Sequence, residues 1–147
     1  NFWKSWVCSL SRPFPFLTMT KPCSFTEIKK ASMTIPFQTI DWTAVPKTEH
    51  LGETGTAYWQ TLQLGGLRIR LVKYSEGYVA NHWCQKGHIV HCLDGEFVSE
   101  LSTGAQMLLT KGMTYVVSDN ASSHRSVSKD GVTLLIVDGD FLLPDLA

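Results

Sequence analysis

Three side chains able to bind a transition metal crowd into one short run, His-Trp-Cys-Gln-Lys-Gly-His, at His82, Cys84 and His88, with Gly95 further on. Imidazole and thiolate both ligate zinc, iron, nickel and copper. One residue separates His82 from Cys84, so on an extended strand both side chains leave the same face. Gly87 marks a turn, and His88 opens the next apolar run, where it can face back toward the first two. The spacing predicts a divalent-metal site on adjacent strands. A lone cysteine in such a run is otherwise a small buried hydrophobe, and here the flanking histidines favour ligation. No Ser-His-Asp set, phosphate loop or dinucleotide fingerprint offers a competing chemistry.

Short strands must position these residues. From Ala57 onward, apolar runs alternate with glycine-marked turns: AYWQTLQ (57–63), LRIRLVKY (67–74), YVANHWC (78–84), HIVHCL (88–93), EFVSEL (96–101), AQMLLT (105–110), MTYVV (113–117) and VTLLIVD (132–138). Asp94-Gly95 reads as a hairpin turn between two of them. SDNASSHRS reads as a polar loop, and KTEHLGETG, which contains His50, has no assignable pattern. Turn signals this frequent, with no sustained helical period, predict an all-β sandwich or barrel.

At 147 residues the chain fits one domain, and 44% hydrophobic with 18% charged residues is ordinary for a globular protein. The formal net charge is zero, so no electrostatic argument favours nucleic acid or an anionic membrane as partner. That balance hides an asymmetry. Residues 1–32 carry Lys4, Arg12, Lys21, Lys29 and Lys30 against Glu27 alone, and the acidic excess lies in the remainder. The stretch 1–32 has no apolar face of either period, and it reads as a disordered or non-native N-terminal extension. Residues 33–147, from Met33, form the expected folded domain. The four cysteines, Cys8, Cys23, Cys84 and Cys92, form no C-x-x-C pair. They lack the layout of a disulfide framework, which suggests a reducing, cytoplasmic location. No apolar run approaches the length of a membrane-spanning helix.

The pattern over about residues 57–138 resembles the cupin superfamily, in which a His-x-His-x3/4-Glu-x6-Gly motif and one later His hold a metal. His82, Cys84 and His88 stand at the places of the first His, the second His and the Glu, and Gly95 falls in register. GMTYVVSDNASSHRS, from Gly112 to His124, is similar to the second motif, which implies His124 as fourth ligand. Asn81-His82-Trp83-Cys84 resembles the name-giving run of the bacterial "DHCW motif" cupins. The departures are substantial: Cys84 and His88 replace a His and a Glu, and Ser118 and Asn120 replace the usual Pro and Gly. The resemblance implies a small single-domain cupin-type β-barrel (double-stranded β-helix, or jelly roll). It implies a divalent metal ion (Fe, Zn or Ni), a small polar ligand or substrate, and a homodimer. The function it suggests is oxygenase-like metal chemistry, with a ligand-binding sensor or metal-stabilised structural module as the alternative. Four protein ligands fit a closed zinc site, and they equally fit iron or nickel with further positions open.

Other residues carry weaker signals. His91 lies three positions after His88, so on a strand it points to the opposite face. Cys92 shares the face of His88 and Val90, where packing is the simpler role. Arg68 and Arg70 alternate with Leu67, Ile69 and Leu71. That cationic face reads as a solvated outer face, or, more sharply, as guanidinium reaching into the barrel for a carboxylate or phosphate. Among Tyr58, Trp59, Trp83 and Tyr115, most read as core or dimer packing, with one flooring the pocket.

Overall fold

The computed structural model describes residues 34–142. The expected extension 1–32 lies outside the described residues. The strands are β1 (Lys47–Leu51), β2 (Thr56–Leu64), β3 (Leu67–Tyr74), β4 (Tyr78–Val79), β5 (His88–Leu101), β6 (Gln106–Thr110), β7 (Thr114–Val117), β8 (His124–Ser128) and β9 (Val132–Gly139). All pairings are antiparallel, in the order β1-β2-β3-β9-β5-β8-β4, with β6 and β7 also paired to β5. The all-β class expected from the turn spacing stands.

β5 organises the curl of this sheet. Its first half pairs with β9 and β7, and its second half with β6 and β8. The expected hairpin at Asp94-Gly95 is therefore replaced by one continuous strand. The register with β9 slips between Cys92 and Asp94, which leaves Leu93 as a bulge residue. Gly95 follows at φ 80°, and a Cβ there would stand 2.6 Å from the Gly131 carbonyl oxygen. A bulge re-aims a strand and increases its twist. Asp-Gly supplies the same left-handed backbone to a bulge as to a hairpin, and only pairing on both sides tells them apart.

The interior divides into a dry end and a polar end. Val72, Tyr74, Tyr78, Val90, Cys92, Phe97, Leu109, Val132, Leu134 and Ile136 form the buried core with Ala57 and Ala80. Tyr74 stacks on Tyr78 with ring centroids 4.2 Å apart and meets Phe97 edge-on. Cys92 is fully buried and directs its thiol to the Asp94 and Gly95 carbonyls, as packing required. Along β3 the inner face is Arg68, Arg70, Val72 and Tyr74, with Arg70 fully inside. The solvated-outer-face reading of the arginines is thus overturned. Leu67, Ile69 and Leu71 face outward instead, because the register with β9 sets Arg68 opposite Asp138. No helix among the described residues is long and apolar enough to cross a membrane.

Candidate metal centre and cavity

At the polar end, the chain from Ala80 to Gly87 is held against two others. It is not the extended strand expected over 78–84, since β4 ends at Val79 and only an isolated bridge follows, Cys84 to His124. Backbone amides of Cys84 and His124 bond each other's carbonyls at 2.7 and 2.9 Å. Asp119 accepts from the Gly87 amide (2.5 Å) and from Lys86 Nζ (2.7 Å), and the Asn120 amide donates to the Gln85 carbonyl (2.8 Å). The Lys86 ammonium holds the Asp119 carboxyl below its ordinary range. A Cβ at Gly87 would lie 2.6 Å from the Asp119 amide nitrogen, so only glycine permits this approach.

The clamp brings Cys84, His88 and His124 together, with one ligand atom from each within 4.8 Å of the others. Cys84 Sγ lies 3.3 Å from His88 Nε2. The other His88 nitrogen, Nδ1, faces Asp138 Oδ2 at 3.5 Å. His124 Nδ1 pairs with Ser122 Oγ at 3.1 Å, while its Nε2 is buried with no hydrogen-bond partner. The two imidazoles meet edge-on with centroids 5.5 Å apart, and Tyr115 packs against His124. His82 is not drawn in. Its side chain is exposed, and its Nδ1 pairs with Asn81 Oδ1 at 2.8 Å on the cavity rim. The shared strand face that would have joined it to Cys84 does not form. His91, on the opposite face of β5 as expected, pairs with Thr114 Oγ1.

Charge is distributed unevenly in this cluster. Burial opposes ionisation of Cys84, but the His88 imidazole outweighs it and the thiol shifts down. Burial likewise opposes protonation of His88, yet Asp138 and the Cys84 sulfur prevail and its affinity for a proton rises. Burial and the positive charge of His88 push His124 down, toward the neutral form that ligates metals. A carboxylate behind the His88 ring is the usual second partner of a metal-binding histidine.

A cavity of about 190 Å³ opens over the cluster, lined also by Trp59, Arg68, Arg70, Tyr115 and Ile136. Arg70 Nη2 donates to Asp138 Oδ2 at 2.6 Å, and Arg68 Nε donates to Oδ1 at 2.8 Å. Burial raises the pKa of Asp138, but His88 and the two arginines reverse this and hold its carboxyl well below the usual carboxylate range. The Arg70 guanidinium also lies over the Trp59 ring, 4.8 Å from its centroid. Sequence reasoning missed Asp138. Its signal was an acid closing the otherwise apolar run VTLLIVD, antiparallel to a strand with two alternating arginines. Ser122 and Asp119, in the segment read as loop, left no signal of their own.

No family model matches the sequence, and no curated protein is similar to it in sequence. Among solved structures, ectoine synthase from P. lautus is similar at a TM-score of 0.58 and 16% identity, over 70% of this chain and 78% of that one. An RmlC-like cupin from Shewanella frigidimarina matches at 0.56 and 20% identity, over 71% of this chain and 91% of the other. A sugar phosphate isomerase from a cupin superfamily of Silicibacter pomeroyi matches at 0.56 and 15% identity, over 69% and 75%. Likeness at such identity shows fold, and the fold is that of the cupins.

Proposed function

We propose that this cupin-fold protein binds one divalent metal ion through Cys84, His88 and His124 and uses it on a small polar molecule. The observation that carries this reading is the donor set. Three good ligand atoms converge beneath a cavity, and one of them, His124 Nε2, is buried without a partner. An orphaned buried nitrogen costs free energy unless something satisfies it. The separation of Cys84 Sγ from His88 Nε2, 3.3 Å, is near the ~3.5 Å that tetrahedral zinc bonds of about 2.3 and 2.0 Å would set. Bound there, iron, nickel or zinc supplies Lewis acidity, and iron adds one-electron chemistry with dioxygen. Ser122 hydrogen-bonds the His124 ring, and the Asp138 carboxylate faces His88 Nδ1 at 3.5 Å, so this chain's own groups lie behind both ligands.

Three protein ligands beneath an open cavity favour a reactive or ligand-binding site over a closed structural one. The structural-module alternative needs His82 as fourth ligand, and that residue lies on the rim of the same cavity. The Asn81–Cys84 run supports kinship with the DHCW motif cupins. A homodimer belongs to the same reading. Ile69, Leu71, Leu135 and Val137 form an adjacent, half-buried apolar patch on the outer face of β3 and β9, suited to a second copy.

The test is metal content by mass spectrometry of the purified protein, reconstituted anaerobically with Fe, Ni or Zn salts. The expected result is one ion per chain, lost in Cys84→Ser and His124→Ala and kept in His82→Ala. Loss in His82→Ala as well would support the closed four-ligand site. Absence of binding by the native chain would overturn the metal reading altogether.

A further inference from the structure

We infer that the cavity takes a small carboxylic acid, with its carboxylate held by Arg70 and Arg68 and the remainder of the molecule turned toward Cys84, His88 and His124. This rests on the metal reading only for what the far end of the ligand meets. The carboxylate end stands on the arginines themselves.

Four cations line the cavity: Arg68, Arg70, Lys86 and Arg125. Two of them are matched. Lys86 pairs with Asp119 at 2.7 Å, and Arg125 pairs with Glu100 at 2.7 Å and Glu53 at 3.4 Å. Arg68 and Arg70 share the single carboxylate of Asp138. That group therefore retains one positive charge, shared between buried Arg70 and partly exposed Arg68. Arg70 is 5% exposed, and its Nε is buried with no hydrogen-bond partner. A guanidinium always carries its charge and presents donors in a planar fork. With Nη2 committed to Asp138, the unpaired Nε marks unfilled capacity for a further acceptor.

The other walls define the ligand. Trp59, Tyr115 and Ile136 are flat or apolar, and the Arg70 guanidinium carbon lies over the Trp59 ring at 4.8 Å from its centroid. About 190 Å³ is below the range typical of drug-sized ligands, which excludes a peptide segment and fits a molecule of a few carbons. A planar carboxylate matches the planar donor fork of a guanidinium. A phosphate would also accept from guanidinium, but the backbone-amide nest that favours phosphate is not seen among the described cavity residues, whose cations are side chains. Asp138 Oδ2 contacts both Arg70 and His88, so acid anchor and metal ligands are one carboxylate apart.

The experiment is isothermal titration of the full chain, metal-loaded and metal-free, with glycolate, its neutral amide glycolamide, and inorganic phosphate. Glycolate should bind at least about tenfold more tightly than glycolamide, since the amide cannot make the charge-assisted bonds. Arg68→Gln, partly exposed and free to refold its surroundings, should weaken glycolate by about tenfold with metal content unchanged. Arg70→Lys should do so more strongly, because a point charge cannot replace the fork. Lys111→Gln, remote from the cavity, should change nothing. Metal content measured on the same samples separates the two readings. Glycolate binding that survives in metal-free protein, alongside failure to bind metal, would sink the metal site and leave the acid site standing. Metal binding with equal affinity for glycolate and glycolamide would overturn the acid site alone. Phosphate binding as tight as glycolate would overturn the choice of carboxylate.

Discussion

Replacing Asp138 by Asn should be among the most destabilising single changes in this domain. The side chains of Asp138 and Arg70 are 3% and 6% exposed, and their nearest atoms are 2.6 Å apart. Removing the charge of one partner leaves the other buried and uncompensated, which costs about 3–5 kcal/mol. Asn is nearly isosteric and its amide oxygen still accepts one hydrogen bond, so the lower end, about 3 kcal/mol, applies. The second pair adds little, because Arg68 is 35% exposed and can turn to water. For a domain of this size, about 4 °C per kcal/mol gives a fall of about 12 °C in Tm. Urea and thermal unfolding followed by circular dichroism measure both quantities. The pH dependence has a definite sign. The folded carboxyl has a pKa below its unfolded value of about 3.9. Its contribution is therefore full above that value and is lost as pH falls through the folded pKa. The gap between native protein and variant should widen as pH falls through the His88 range, because Asp138 raises that ring's affinity for a proton, and then narrow in acid below about pH 4. A double change offers a second check. Asp138→Leu should cost less in an Arg70→Met background than alone, since no charge is then stranded. A loss under about 1 kcal/mol in Asp138→Asn, or simple additivity in the double variant, would refute the buried-pair reasoning.

Gly95→Ala should destabilise by about 2 kcal/mol or more, because it combines a left-handed backbone with a 2.6 Å approach to the Gly131 oxygen. Gly104→Ala, at φ 90° with open space around it, should cost about 1–2 kcal/mol, and equal losses at the two sites would remove the steric part of the argument. Burial, aided by Tyr74, pushes the Tyr78 phenol up to about 12. Burial also raises Tyr74 and Tyr115. Ultraviolet titration of the native protein should therefore leave these three protonated where free phenols ionise, and unfolding in urea at the same pH should release them; full ionisation while folded would contradict the packing. His91→Ala should retain all of its metal, since that ring bonds Thr114 on the far face of β5. Light scattering should return a dimer mass for the native chain and a monomer mass for Val137→Arg, and a monomeric native chain would end the dimer proposal.

The sequence by itself determined the strands whose alternation and bounding turns are local properties. The run 67–74 is β3, and 57–63, 105–110, 113–117 and 132–138 each fall on a strand to within a residue or so. The opposite facing of His88 and His91 followed from the two-residue period alone. The tertiary structure decided whatever depended on a partner strand. β8, inside a polar stretch, forms because His124–Ser128 finds free backbone edges on β5 and β4. Asp94-Gly95 became a bulge because β9 pairs through it. The arginines turned inward because Asp138 waits across the ladder, and no local pattern distinguishes an inner from an outer cationic face. The Cys84, His88 and His124 cluster mixes the two. Cys84 and His88 were legible from spacing, and His124 only from resemblance. His82 lay in the same motif, yet chain geometry left it on the rim. Ligand types are written locally, but their convergence depends on backbone hydrogen bonds between segments forty residues apart, Cys84 to His124.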